Sequence, residues 1–210
     1  VIAPADLQCL LDCMRDHPQA GVVGPQNWRS ETVPQISHRQ AFFRPGADST
    51  FTVPDKVTAA EWIHGCCQLL RTSAFREIGG FDEAFFLYYE DDDLCLRMAQ
   101  AGHQCLLQPA ARAFHKGGAS SAPSIRTDFI KRFHYARSRQ IAIRRYMGNA
   151  AGRMHLIKLM AAAVPAVVVY SLLLRRRDVI KWAAWGAAGF SAALGLDVVP
   201  GRGKPATPVG

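Results

Sequence analysis

Four consecutive carboxylates, Glu90, Asp91, Asp92 and Asp93, stand between an aromatic stretch (Phe85, Phe86, Tyr88, Tyr89) and an apolar series, Leu94, Leu96, Met98 and Ala99. The apolar series recurs at near-helical spacing. It predicts that the acids occupy the first turn of a helix, where free amide N–H groups and the dipole favour negative charge. That accounts for acids at a helix start but not for four of them, because their mutual repulsion pushes at least one pKa upward. A carboxylate tuned in this way and set in a cleft is a candidate general base for a hydroxyl proton. The competing reading is a solvated, acid-capped helix with no chemistry. Asp93 and Arg97, four residues apart, suit a structural ion pair, and Asp93 is also a candidate acceptor contact.

Other chemistry-bearing residues flank this run. His115 ends an apolar strand and precedes Lys116 to Ser121, a flexible stretch whose donors suit a phosphate-bearing ligand. Trp62 offers an indole face to the apolar side of a sugar ring, and Gly65, lacking Cβ, lets a substrate approach the backbone; core packing competes for both. His64, beside Gly65, is placed to line the same cleft. Phe85, Phe86, Tyr88 and Tyr89 suit either a sugar platform or core filling. The six cysteines are too sparse for a disulfide scaffold and read as reduced, buried thiols. Cys9 and Cys13 have helical spacing, but no second Cys or His pair with zinc-site spacing accompanies them, so core packing is the favoured reading.

The elements that must position these residues alternate. A helix is expected over about Pro4 to Asp16, a strand near Val22 and Val23, and a long Pro- and Gly-punctuated loop from Pro34 to Pro54. A strand near Glu61 to Leu70 precedes a short helix around Ser73 to Ile78, which Gly79-Gly80 ends as a C-cap pair. After the acidic helix, Gly102 supplies the stop. Short strands follow near Gln104 to Leu107 and Arg112 to Phe114, and a further helix begins near Ser124. The alternation argues for an α/β fold.

Charge is unevenly distributed. The net charge is +8, but between Arg112 and Lys181 fifteen Lys or Arg face only Asp128 and Asp178, so the remainder carries −5. Residues 124–152 form a basic amphipathic helix suited to an anionic surface, either lipid or nucleic acid. The apolar runs Leu159 to Leu174 and Trp182 to Leu196 favour lipid and argue against nucleic acid. Each is shorter than the roughly twenty residues of a spanning helix, and basic residues flank the first on both sides, so an interfacial or re-entrant arrangement of 153–199 is expected. The alternative is a pair of core helices in a soluble domain. Residues 200–210 read as a disordered tail.

Five elements occur in an order that carries a resemblance: Trp62-Ile63-His64-Gly65-Cys66, Arg71 to Phe75, Gly79 to Glu83, Glu90 to Arg97, and Phe114-His115. Together with Gly21 to Pro25 and Ser37-His38-Arg39, they resemble the catalytic-acceptor half of inverting bacterial family 2 glycosyltransferases, rhamnosyltransferase-like enzymes of surface-polysaccharide assembly. The resemblance implies that residues 1–123 are the C-terminal half of a GT-A-like domain. The N-terminal nucleotide-binding half, with its metal-carrying Asp-x-Asp motif, has no counterpart in this sequence. The chain therefore reads as a fragment, with donor binding assigned to residues outside it and no activity expected of these residues alone.

The resemblance further implies Asp91 as the general base, with Glu90 orienting the acceptor, and His115 as a ligand of a divalent metal (Mg or Mn) on the diphosphate. It implies a nucleotide-diphosphate sugar as donor and a polyprenyl-diphosphate-linked saccharide as acceptor, at the cytoplasmic face of the bacterial inner membrane. The rival from another class is a non-catalytic membrane-surface scaffold derived from a truncated transferase.

Overall fold

The first helix, α1 (Pro4–Asp16), starts with Pro in its first turn and turns Leu10, Cys13 and Met14 inward. The computed structural model describes residues 1–44, 52–117 and 122–196. The expectations for Gly118 to Ser121 and for the 200–210 tail, and part of that for the Pro34–Pro54 loop, lie outside the described residues. The chain divides into two compact units, Val1–Phe81 with Asp91–Ser120, and Asp82–Glu90 with Ser121–Gly210. The expected boundary after residue 123 did not anticipate that the Asp82–Glu90 segment groups with the C-terminal helices.

In the first unit the elements after α1 are β1 (Ala20–Trp28), β2 (His38–Arg39), β3 (Thr58–Ala59), β4 (Trp62–Ile63), β5 (Leu69–Leu70), α2 (Thr72–Glu77), α3 (Glu90–Gln100) and β6 (Gln104–Phe114). A four-stranded sheet has the order β3-β6-β1-β5, with β1 and β6 parallel and the two outer pairings antiparallel. The sheet is covered on both faces. Val22, Cys105 and Leu107 pack with Ala74 of α2 and Leu94, Cys95 and Met98 of α3, whereas Val23 and Leu106 pack with Leu10, Cys13 and Met14 of α1. Successive strand residues point to opposite faces, so a strand covered on both sides reads as a continuous apolar run. The mixed α/β class is as expected.

Several sequence motifs have structural duties here. Arg71 donates to the carbonyls of Ala20, Met14 and His17, which ties the end of α1 to the strand beside it. Gly79 and Gly80 adopt φ of 80° and 77°, the left-handed geometry that ends α2. The two short strands expected at 104–107 and 112–114 are one strand, β6. Its register against β1 jumps from Pro25↔Gln108 to Gln26↔Arg112, so Pro109 to Ala111 bulge between the two paired stretches. The single strand expected over Glu61 to Leu70 is instead split, β4 pairing with β2 and β5 with β1. The turn between them carries His64, Gly65 and Cys66.

In the second unit, α4 (Ile125–Leu172) opens on Ser124, whose Oγ accepts the Thr127 N–H at 3.0 Å. It is broken at Gly148, where φ 88° and ψ 167° lie in a region essentially reserved for glycine. The break folds the helix back on itself. His155 Nδ1 lies 2.7 Å from Gln140 Oε1, whereas fifteen residues of straight helix would set them about 22 Å apart. α5 (Arg176–Ala193) packs along the second arm of α4. An apolar groove of about 270 Å³ between these two helices is lined by Val164, Val168 and Trp182.

The basic residues of the first arm are not all available to a surface. Arg145 pairs with Asp82 at 2.7 Å, Arg137 donates to Ala84 O, Ser138 donates to Leu87 O, and Arg132 pairs with Asp128. Arg126, Arg139 and Arg144 remain exposed. Among the described residues one helix, Ile125–Leu172, is long and apolar enough to cross a membrane, and only 6% of its most apolar window is buried.

Candidate active site

The site is built on the split between β4 and β5. His64 N donates to Ser37 O at 2.9 Å, which anchors the start of the turn, and Cys66 N donates to His64 Nδ1 at 3.0 Å. Gly65 N then donates to Asp91 Oδ2 at 2.8 Å, and Asp91 Oδ1 accepts the amide of Asp92 at 3.0 Å. Glycine leaves room for this approach, since a Cβ at position 65 would lie 3.0 Å from Asp91 Cβ and 3.1 Å from its Oδ2. His115, one residue past β6, is held by its own N–H to Trp28 O at 2.9 Å, and its ring stands 5.4 Å from that of His64. Turn, helix start and strand end thus bring Asp91, His64, Cys66 and His115 together.

Arginines reach two of the four carboxylates. Asp92 receives Arg39 Nη2 on both oxygens, at 2.8 and 2.9 Å, with Arg39 also lying 4.2 Å above the Trp62 ring. Asp93 is 1% exposed and pairs with Arg97 Nε at 2.7 Å, while Arg97 Nη1 donates to Ile78 O. Asp93 therefore faces the core as a structural ion pair, and burial closes it to an acceptor. Asp91 is half-buried and held by two backbone amides, with no arginine partner among the described residues. Glu90 opens α3 and counts with the other unit. There, burial first and Glu90's charge second push the Tyr88 phenol upward. Tyr88 and Tyr89 both take φ of 65°, a strained conformation for aromatic residues, immediately before the acids.

Trp62 is 7% exposed and covered by the Arg39 guanidinium, so it forms the wall behind the turn and offers no open face for a sugar to stack on. Burial lowers the His64 pKa, Asp91 opposes that shift, and His115 and Arg39 add to it. The Cys66 residue reaches solvent, yet loss of water around its thiol, followed by the charges of Cys67 and Asp91, pushes its pKa up to about 12. All six cysteines are free thiols; Cys13, Cys95 and Cys105 are buried as expected, whereas Cys9 and Cys67 are only partly buried and Cys66 is exposed.

Arg39, Asp92 and Cys66 are the residues that sequence reasoning passed over. Arg39 and Asp92 are 53 positions apart, and nothing local signals their pairing. Cys66 carried a readable signal, the His-x-Cys spacing in a turn, which pairs with a lone His at a distant strand end.

The sheet and the acidic helix start fit a sugar-transferring enzyme. The chain belongs to the glycosyltransferase family whose model is described as the N-terminal domain of galactosyltransferase, which matches residues 49–154. It is similar to N-acetylglucosaminyl-diphospho-decaprenol L-rhamnosyltransferase of Mycobacterium tuberculosis, at 30% identity over 130 residues, covering 53% of this chain and 42% of that protein. It is also similar to Rhamnosyltransferase WbbL of Escherichia coli K12, at 43% identity over 58 residues, covering 28% of this chain and 22% of that protein. The rhamnosyltransferase-like resemblance carried by the motifs is borne out. The chain spans less than half the length of these curated relatives.

Proposed function

We propose that this chain supplies the acceptor side of an inverting, GT-A-like glycosyltransferase that moves a sugar from a nucleotide-diphosphate donor to a polyprenyl-diphosphate-linked saccharide. The observation that carries the reading is the isolation of Asp91. Asp92 and Asp93, the two acids that follow it, are paired with arginines, while Asp91 is oriented by backbone amides at the turn. Amide bonds hold a carboxylate in place without neutralising it, which suits a base that must accept a proton.

In the reaction, Asp91 takes the proton of the acceptor hydroxyl as that oxygen attacks the anomeric carbon. The bond to the nucleoside diphosphate breaks on the opposite face, which inverts the configuration. The turn at His64 to Cys66 forms the acceptor wall.

His115 would be this chain's one ligand to a Mg or Mn ion on the diphosphate, whose oxygen ligands would come from an Asp-x-Asp motif outside these residues; within the chain its neighbours are His64 and Cys66. The chemistry assigned to this chain rests on Asp91.

The reading places the chain at the cytoplasmic face of the bacterial inner membrane; the exposed apolar window of α4 and the decaprenol-linked substrate in the mycobacterial relative's name support membrane association. The test is transfer by the full-length protein from nucleotide-sugar donors to a polyprenyl-diphosphate saccharide in detergent. A product of inverted anomeric configuration supports the reading, and a retained configuration overturns it.

A further inference from the structure

We propose that His64, Cys66 and His115 form a binding site for a thiophilic divalent transition-metal ion such as Zn²⁺. Their ligand atoms all lie within 4.8 Å of one another. Tetrahedral ligands at bonds of about 2.0–2.3 Å stand roughly 3.3–3.8 Å apart, so closing onto an ion takes on the order of 1 Å of side-chain movement. The backbone is already committed. His64 and His115 are each fixed by a main-chain bond, to Ser37 O and Trp28 O, and Gly65, between His64 and Cys66, is tied to Asp91. Two imidazoles and one thiolate suit zinc, cobalt or cadmium and suit magnesium poorly.

Coordination by His64 costs the hydrogen bond that its Nδ1 accepts from Cys66, a net loss of ordinary size that three metal–ligand bonds outweigh. Three protein ligands leave a fourth position open for water or an acceptor oxygen, the arrangement of reactive rather than purely structural zinc sites. The inference goes beyond the transfer reading and does not depend on it, because ion binding is measured without substrates.

The experiment is a Co²⁺ titration of the chelator-treated full chain, followed by absorption. The expected result is a sulfur-to-cobalt charge-transfer band that saturates at one ion per chain. It is lost in Cys66→Ser and unchanged in Cys67→Ser, and the Kd rises at least about tenfold in His64→Ala and in His115→Ala. A band that survives in Cys66→Ser, or the absence of saturable binding, overturns the proposal. A second measurement needs no variant: saturating Zn²⁺ protects Cys66 from maleimide labelling in the parent chain, and labelling at an unchanged rate overturns the proposal equally.

Discussion

The backbone amide of Gly65 donates to Asp91 Oδ2 at 2.8 Å, across a gap that a single methyl group would close. The turn between β4 and β5 thereby sets the position of the carboxylate on α3. Gly65→Ala is expected to push Asp91 aside without disturbing the core clusters. The contact requires Asp91 to give by only a few tenths of an ångström, and since a misplacement of about 1 Å costs about a hundredfold in rate, the expected loss is smaller, about tenfold. Transfer kinetics should show the loss in kcat, and thermal melting should stay near the parent value.

Arg39 holds Asp92 with two bonds while stacking on Trp62, its cross-strand partner. Breaking a buried ion pair by removing one member costs about 3–5 kcal/mol, so Arg39→Ala is expected to destabilise the unit by up to that amount. Arg39→Lys should recover only part of this, because an ammonium cannot reproduce the planar stack. Denaturant melts of the two variants check the order. Equal stability of parent and Arg39→Ala would show the pair to be idle.

Leu172, Leu173 and Leu174 are exposed where α4 passes to α5, Leu174 at 86%, and Arg175 to Arg177 follow directly. Leucines beside arginines suit an anionic bilayer surface. A fully inserted leucine contributes about 1.5–3 kcal/mol, so the triple change to serine should weaken binding to anionic vesicles at least about tenfold. Flotation on a density gradient measures it. Unchanged flotation would place the membrane contact elsewhere.

Local signals made much of the fold legible: Pro4 and the apolar spacing for α1, Gly79-Gly80 for the end of α2, Leu94 to Met98 for α3, and Ser124 for the start of α4. The turn carrying the site was not legible, because Glu61 to Leu70 reads as one strand while its two halves pair with different strands. Pairing is decided by what lies alongside, which no local pattern records. The same holds for the carboxylates. Their number suggested repulsion, and only the fold shows Arg39 and Arg97 arriving at Asp92 and Asp93. The fold-back at Gly148 was equally hidden, because one glycine in a helical pattern carries no sign of its φ.

The most direct measurement compares Asp91→Asn with Asp92→Asn in the full-length protein, reading sugar transfer and melting temperature for each. Asp91→Asn should lose about a hundredfold to ten-thousandfold in transfer rate while melting close to the parent. Asp92→Asn should melt lower, because it strips Arg39 of its counter-ion. Near-normal transfer by Asp91→Asn would contradict its role as the base.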